Sequence, residues 1–189
     1  MILNTFYEIR SMKLKNIIIR SAILAGLTFA GNWNADTVNA KVSFSVKGPF
    51  GTVHGSFTGL QASIQFDEKD LPGSTISASV DAKTVSTGIG LRNHDLRNKE
   101  EWLNTDKFPR ISFHSRKIEK TGNGYKASGD LTLKGITKHV EIPFTFVDKG
   151  TTGLFKGEFT IRREEFNLGK PGGSVGSVIT INLDVPVKK

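Results

Sequence analysis

The chain has 189 residues, is 37% hydrophobic and 23% charged, and carries a formal net charge of +8. This is enough apolar material for one good-sized domain, with the charge content of an ordinary soluble protein. It contains no cysteine, which excludes disulfides, thiolate metal sites, a cysteine nucleophile and a lipidated cysteine.

The opening of the chain reads as an address. Lys13, Lys15 and Arg20 precede the apolar-to-small run SAILAGLTFA at 21–30. The run is too short to span a bilayer. A basic start, a short apolar segment and small residues at its end make an export signal. Met12 is a better start for it than Met1, and cleavage is expected near Ala30, with Thr28 and Ala30 as the small pair. A rival site at Val38-Asn39-Ala40 would cut into the first strand. We therefore expect an export signal over 1–30 and one domain over 31–189, periplasmic or secreted, with no stable membrane insertion once the signal is gone. Residues 1–30 hold four basic residues and one acid, which leaves +5 on the remainder. Those cations are scattered among acids, so nucleic acid is not an expected partner.

After the signal the pattern is strand throughout. Val42, Phe44 and Val46 alternate with polar residues, the two-residue period of a half-buried strand. Gly48-Pro49 punctuates. Val53, Gly55 and Phe57 then occupy odd positions, whereas Leu60, Ala62, Ile64 and Phe66 occupy even ones. A phase flip at Thr58-Gly59 predicts a bulge in one long strand. Pro72-Gly73 turns into Ile76, Ala78, Val80 and Ala82. Residues 88–109 break the alternation. There Asn93 is placed to cap a helix carrying Leu96, Lys99, Glu100 and Leu103, with Leu96, Trp102 and Leu103 as its apolar contacts. Strands resume with Ile111, Phe113 and Ser115. An Asn-Gly hairpin signal at 123–124 follows, then Tyr125, Ala127, Gly129, Leu131 and Leu133. Gly135 turns the chain into Val140, Ile142, Phe144 and Phe146. Phe155 to Ile161 and Ile179 to Val187 complete eight strands with mostly short connections. Short connections make antiparallel neighbours. The fold class is all-β: an eight-stranded antiparallel barrel, or a sandwich, with one short helical insert.

The inward positions mix large residues (Phe44, Phe57, Phe113, Phe144, Phe146, Phe159) with small ones (Gly55, Ala62, Ala78, Ala82, Ala127, Gly129, Gly157). An eight-stranded barrel is just wide enough to be filled or to hold one small ligand. The pattern alone leaves a filled core and an apolar cavity equally open. Positive signs of catalysis are missing. The four histidines have no metal-pair spacing, no GxSxG elbow occurs, no phosphate-cradling loop occurs, and Glu164-Glu165 reads as a strand pair facing opposite ways.

The stretch GDLTLKGITKHVEIPFTF at 129–146, with the insert RNHDLRNKEEWLNTDKFPRISF, resembles the YceI-like family of lipid- and polyisoprenoid-binding proteins. The signature GDLT-x-x-G-x-T-K-x-V is matched by Gly129, Asp130, Leu131, Thr132, Gly135, Thr137, Lys138 and Val140. The family's Arg-x-x-Phe-Gly-x-Gly stretch is approximated at Arg163, Phe166, Asn167, Leu168 and Gly169, with Asn167 in the usual Gly position. The family's Arg-Asp-x-His-Leu reads Arg92-Asn93-His94-Asp95-Leu96 here.

The resemblance implies a lipocalin-like barrel with an elongated apolar pocket, a polyisoprenoid or quinone-like lipid as ligand, and export to the periplasm; it does not imply catalysis. We expect no cofactor and no metal beyond that lipid, and a homodimer is left open. On this reading the tail lies among Phe44, Phe57, Phe113, Leu131, Leu133 and Val140, and beyond them Ile142, Phe144, Phe146, Phe159 and Ile161. Arg92 and Asn93 would meet the polar head, in an insert that lids one mouth. Two other readings remain: a lipid-modifying hydrolase or isomerase in the same pocket, favoured by a buried polar pair at His114, and a secreted structural domain with a filled core.

Overall fold

A computed structural model describes residues 31–189. The expected export signal, with its Met12 start and its cleavage near Ala30, lies outside the described residues. The strands are β1 (Asn32–Ala35), β2 (Lys41–Gly48), β3 (Gly51–Phe57), β4 (Gln61–Gln65), β5 (Thr75–Asp81), β6 (Arg110–Thr121), β7 (Gly124–Leu133), β8 (Ile136–Asp148), β9 (Thr152–Arg162) and β10 (Val178–Lys188). One helix, α1 (Gly90–Asn98), lies between β5 and β6.

Ten ladder segments make eight staves. β1 and β2 follow one another along the same edge of β10, at Val187 and Lys188 and then at residues 179–184. β3 pairs with β2, and its continuation β4 pairs with β1 and β5. From β5 to β10 each strand pairs with the next. The result is a closed antiparallel up-and-down barrel, as the alternation predicted.

The phase flip has a different cause from the one expected. No ladder bulge sits at Thr58-Gly59; the chain leaves the sheet there between β3 and β4. Gly59 adopts a positive φ of 69°. Thr84 stands in for the missing ladder, accepting from the Thr58 N–H at 3.1 Å and donating to the Thr58 carbonyl at 3.2 Å. Phe57 and Leu60 both reach the interior in consequence. The bulge that does occur is not signalled by the hydrophobic pattern. It lies in β6 between Ser115 and Lys117, opposite Gly129. A β-carbon at Gly129 would stand 2.2 Å from the His114 carbonyl oxygen, so only glycine fits there. Ser115 is buried in the bulge, where its Oγ accepts the Ile76 N–H at 2.8 Å.

The family-like signature is the β7–β8 hairpin. Leu133 pairs with Ile136, and the two residues between them, Lys134 (φ 51°) and Gly135 (φ 73°), are both left-handed. Two such residues define the tight turn whose twist suits paired strands. Outside the barrel, Thr132 and Thr137 hydrogen-bond hydroxyl to hydroxyl at 2.8 Å, and Arg116 holds Asp130 at 2.6 Å. These signature side chains shape the hairpin and do not face the interior.

One end of the barrel is plugged. Phe66 stacks edge-on against Tyr125, Phe144, Phe146 and Phe155, with ring centroids 5.0–5.6 Å apart, and Trp33 meets Phe146 at 5.0 Å. Such pairs add about 0.5–1.5 kcal/mol each beyond the apolar area they bury. Below the plug the Tyr125 hydroxyl donates to Glu68, which pushes its pKa up to about 12.

The other end is lidded by residues 82–109 and by the loop between β9 and β10. In the lid, Asn93 is not a cap. α1 starts after Ile89 with no capping side chain, and Asn93 lies within the helix. Its Oδ1 accepts from the Thr87 N–H and hydroxyl, both at 2.8 Å, so it pins the preceding loop. The helix also ends earlier than its spacing suggested, at Asn98. Leu103 comes back to the helix through a turn, its N–H donating to the Leu96 carbonyl at 3.0 Å.

Candidate functional site: a lidded apolar chamber

Between plug and lid lies a cavity of about 260 Å³. Its space comes from small inward residues: Ala62, Ala78, Ala127 and Gly157 all line it. Of the expected tail contacts, Phe44, Phe57, Phe113, Leu131 and Leu133 line the chamber, as do Ile142, Phe144, Phe159 and Ile161. Phe44, Phe57, Phe113 and Phe159 are only partly buried; they pack against core side chains on one side and border this empty space on the other.

Four expected site residues fall elsewhere. Phe146 belongs to the plug, one ladder step too far down β8. Val140 packs against the lid-side cluster of Leu133, Phe166 and Leu168 without bordering the cavity. Arg92 and Asn93 lie on α1, outside the lining. Residues missed by the sequence reading include Leu60, Val85, Leu96, Trp102, Leu103 and Leu168 from the breaks and lid, and Ile179, Ile181 and Leu183 from β10. The β10 set was legible as an alternating strand. The lid set was not, because no periodicity relates a lid to the barrel beneath it.

Arg163 is a buried basic residue of the lining, at 2% exposure. The geometry makes it a girder for the lid. Its Nη1 donates to the Leu168 carbonyl at 2.7 Å, its Nη2 to Val175 at 2.9 Å and its Nε to Gly176 at 3.0 Å, and both terminal nitrogens reach the Lys170 carbonyl at 3.3 Å. Glu164 lies 3.2 Å away. The Ser177 hydroxyl donates to Glu164 at 2.7 Å and holds that carboxyl below its ordinary pKa. Glu164 and Glu165 lie in a short 3-10 turn, Arg163–Phe166, not on the strand expected of them. Trp102 closes over Gly169 beside Arg163. The chamber therefore offers a ligand carbon surface and no free polar group, since every guanidinium donor is already engaged.

The wall has one split. β8 and β9 pair only from Phe144–Gly157 down to Asp148–Gly153. Above that level, residues 136–143 of β8 and 158–162 of β9 share no ladder. Pro143, which lacks an N–H, and Gly157, which lacks a side chain, mark where pairing stops. An outer groove lined by Pro143, Thr145, Lys156, Gly157, Asn182 and Asp184 lies at the same level.

His114, the residue offered for an enzymatic reading, lies on the outer face, where its Nδ1 meets the Ser77 hydroxyl at 2.7 Å. Among the described residues no group of three or more His, Asp or Glu could hold a metal. No described helix is long and apolar enough to cross a membrane.

A closed antiparallel barrel with a plugged floor, a helical lid and an apolar chamber is a lipocalin-like architecture. The sequence matches the YceI-like domain over residues 33–187, and the chain belongs to that family. A UPF0312 protein of Yersinia pestis is 28% identical over 170 residues, covering 85% of this chain and 88% of its own. One from Yersinia enterocolitica is 29% identical over the same length and coverage. The crystal structure of Burkholderia cenocepacia BcnA superimposes with a TM-score of 0.76 at 26% identity, over 81% of this chain and 99% of that one. A polyisoprenoid binding domain from Saccharophagus degradans, implicated in plant cell wall breakdown, shares the fold with a TM-score of 0.65 at 13% identity, over 84% and 98%.

Proposed function

We propose that this protein is an exported carrier that holds the apolar tail of an amphiphilic isoprenoid lipid, such as an isoprenoid quinone, in its chamber. The observation that carries the reading is the chamber itself: a cavity bordered by carbon, whose buried cation Arg163 is saturated by lid carbonyls. Membership of the family, and a fold shared with the polyisoprenoid binding domain of Saccharophagus degradans, support the ligand class. Burying a tail there removes apolar area from water at roughly 25 cal/mol per Å² before binding costs. Recognition then depends on length and girth. The polar head stays at the lid rim, where α1 presents Arg92. Catalysis has no chemical group behind it in this chamber, and a filled core does not describe it.

The test is native mass spectrometry of protein purified from its own host, followed by uptake of a defined quinone. Bound isoprenoid is expected. Protein that is lipid-free and takes up no quinone would sink the carrier reading. Ala78→Leu adds bulk at a chamber wall that has room for it. It should keep or raise stability in urea titration while reducing quinone uptake about tenfold or more, since overfilled space rejects the ligand.

A further inference from the structure

The lid end carries a second surface, on its outside. Among the described residues Phe50 is fully exposed, Leu91 75%, Ile89 50% and Val178 48%. Scattered exposure of this kind is ordinary, but these four lie at the same end of the barrel. Val178 opens β10 beside the top of β2, and Phe50 tips the β2–β3 hairpin. Ser86 bridges antiparallel to Ser56 of β3, so the chain climbs the outer edge of β3 towards Ile89 and Leu91. The arc runs around one side of the lid rim.

Cations are interleaved with it. Lys47 lies next to the hairpin tip, Arg162 is the direct cross-strand partner of Val178, and Arg92 follows Leu91 on α1. None of the three forms an ion pair with a described carboxylate. Elsewhere some cations are matched: Lys117 meets Glu119 at 2.7 Å and Lys189 meets Asp148 at 3.7 Å towards the plugged end, and Lys83 meets Asp106 at 2.8 Å in the lid.

We propose that this arc docks the lid end onto a phospholipid bilayer with anionic headgroups. Phe50, Ile89 and Leu91 enter the headgroup layer, while Lys47, Arg92 and Arg162 meet lipid phosphates. The inference takes its purpose from the carrier reading, because it sets the lid against the store from which an isoprenoid tail is collected. Its measurement needs no isoprenoid.

The chain has no cysteine, so single cysteines at Phe50, at Leu91 and, as the far-end control, at Val147 can each carry an environment-sensitive fluorophore on the full-length protein. With vesicles of phosphatidylglycerol and phosphatidylethanolamine, the labels at 50 and 91 should shift to the blue and be quenched by spin-labelled lipid, and the label at 147 should do neither. The Lys47→Glu/Arg92→Glu/Arg162→Glu variant should weaken vesicle affinity about tenfold or more. Three results would overturn the proposal. The label at 50 stays water-like with vesicles. The label at 147 responds as strongly. Or the label at 50 is already blue-shifted without lipid, because residues 1–30 or a second copy cover the arc. Quinone uptake from detergent micelles by the unmutated protein, run in parallel, tests the carrier reading by itself; absence of docking by that protein with uptake intact removes only the bilayer inference.

Discussion

Arg163 shows how one residue can look like a ligand anchor and serve another end. A buried cation bordering a cavity invites a phosphate, yet its donors are consumed by four loop carbonyls. Asn167 follows from the same loop. Its φ of 52° is left-handed, a conformation asparagine tolerates better than other side chains and glycine accepts freely. In sequence, asparagine merely stands where glycine is expected; the backbone explains both choices. Asn167→Gly should be neutral to within a few tenths of a kcal/mol, and Asn167→Ala should cost about 1 kcal/mol, read by urea denaturation. Tyr125 gives a pH signature. Its hydroxyl bond to Glu68 needs the protonated phenol, and its folded pKa of about 12 lies above the ordinary 10. The stabilisation is fully present below pH 10 and is lost as pH rises from 10 to 12. Tyr125→Phe should therefore cost about 1–2 kcal/mol at pH 8, and the gap between the two proteins should narrow above pH 10 in titrations of each.

At the scale of elements, the alternating strands were legible because each keeps one face in the interior, and a period of two cannot be mistaken over seven or more residues. Breaks in the period were legible as positions but not as shapes. The flip at Thr58-Gly59 is equally consistent with a bulge and with a gap, and Thr84, which bridges the gap, is 26 residues away. The bulge at Ser115–Lys117 left no trace in the hydrophobic pattern because a buried serine took the inward place. The β7–β8 turn is the most constrained of these elements. Gly135 has a positive φ, and a β-carbon there would come within 2.6 Å of the Phe108 ring. Gly135→Ala should cost about 2 kcal/mol or more, with the strain and the displaced ring adding. A thermal melt shows it, and Gly150→Ala in the open β8–β9 turn, where a β-carbon meets nothing within 4 Å, is the comparison that separates strain from crowding.

For the whole molecule, plug and lid divide one apolar interior into a filled end and a hollow one. The candidate site was legible to the extent that it is made of strands: nine of the thirteen expected residues border the chamber. Phe146 was indistinguishable from Phe144 in sequence, since both point inward and only depth along β8 separates them. Depth is set by where the floor aromatics close, and no local pattern encodes that. The split between β8 and β9 leaves the backbone groups of 136–143 and 158–162 that face it without ladder partners, while their other edges stay paired with β7 and β10. In hydrogen exchange, alternate amides of those segments should exchange much faster than amides of the same strands at 144–148 and 153–157. Equal protection along β8 would mean that the split closes in solution.

A ring of hydrogen-bonded staves resists stretching because widening it anywhere breaks backbone bonds. Here the upper ring is open between β8 and β9, and its circumference can grow there without breaking a ladder bond. Isoprenoid chains carry a methyl branch on every unit and are thicker than straight alkyl chains. A cuff that yields in girth can let such a chain slide lengthwise past its branches while the plugged floor below stays rigid.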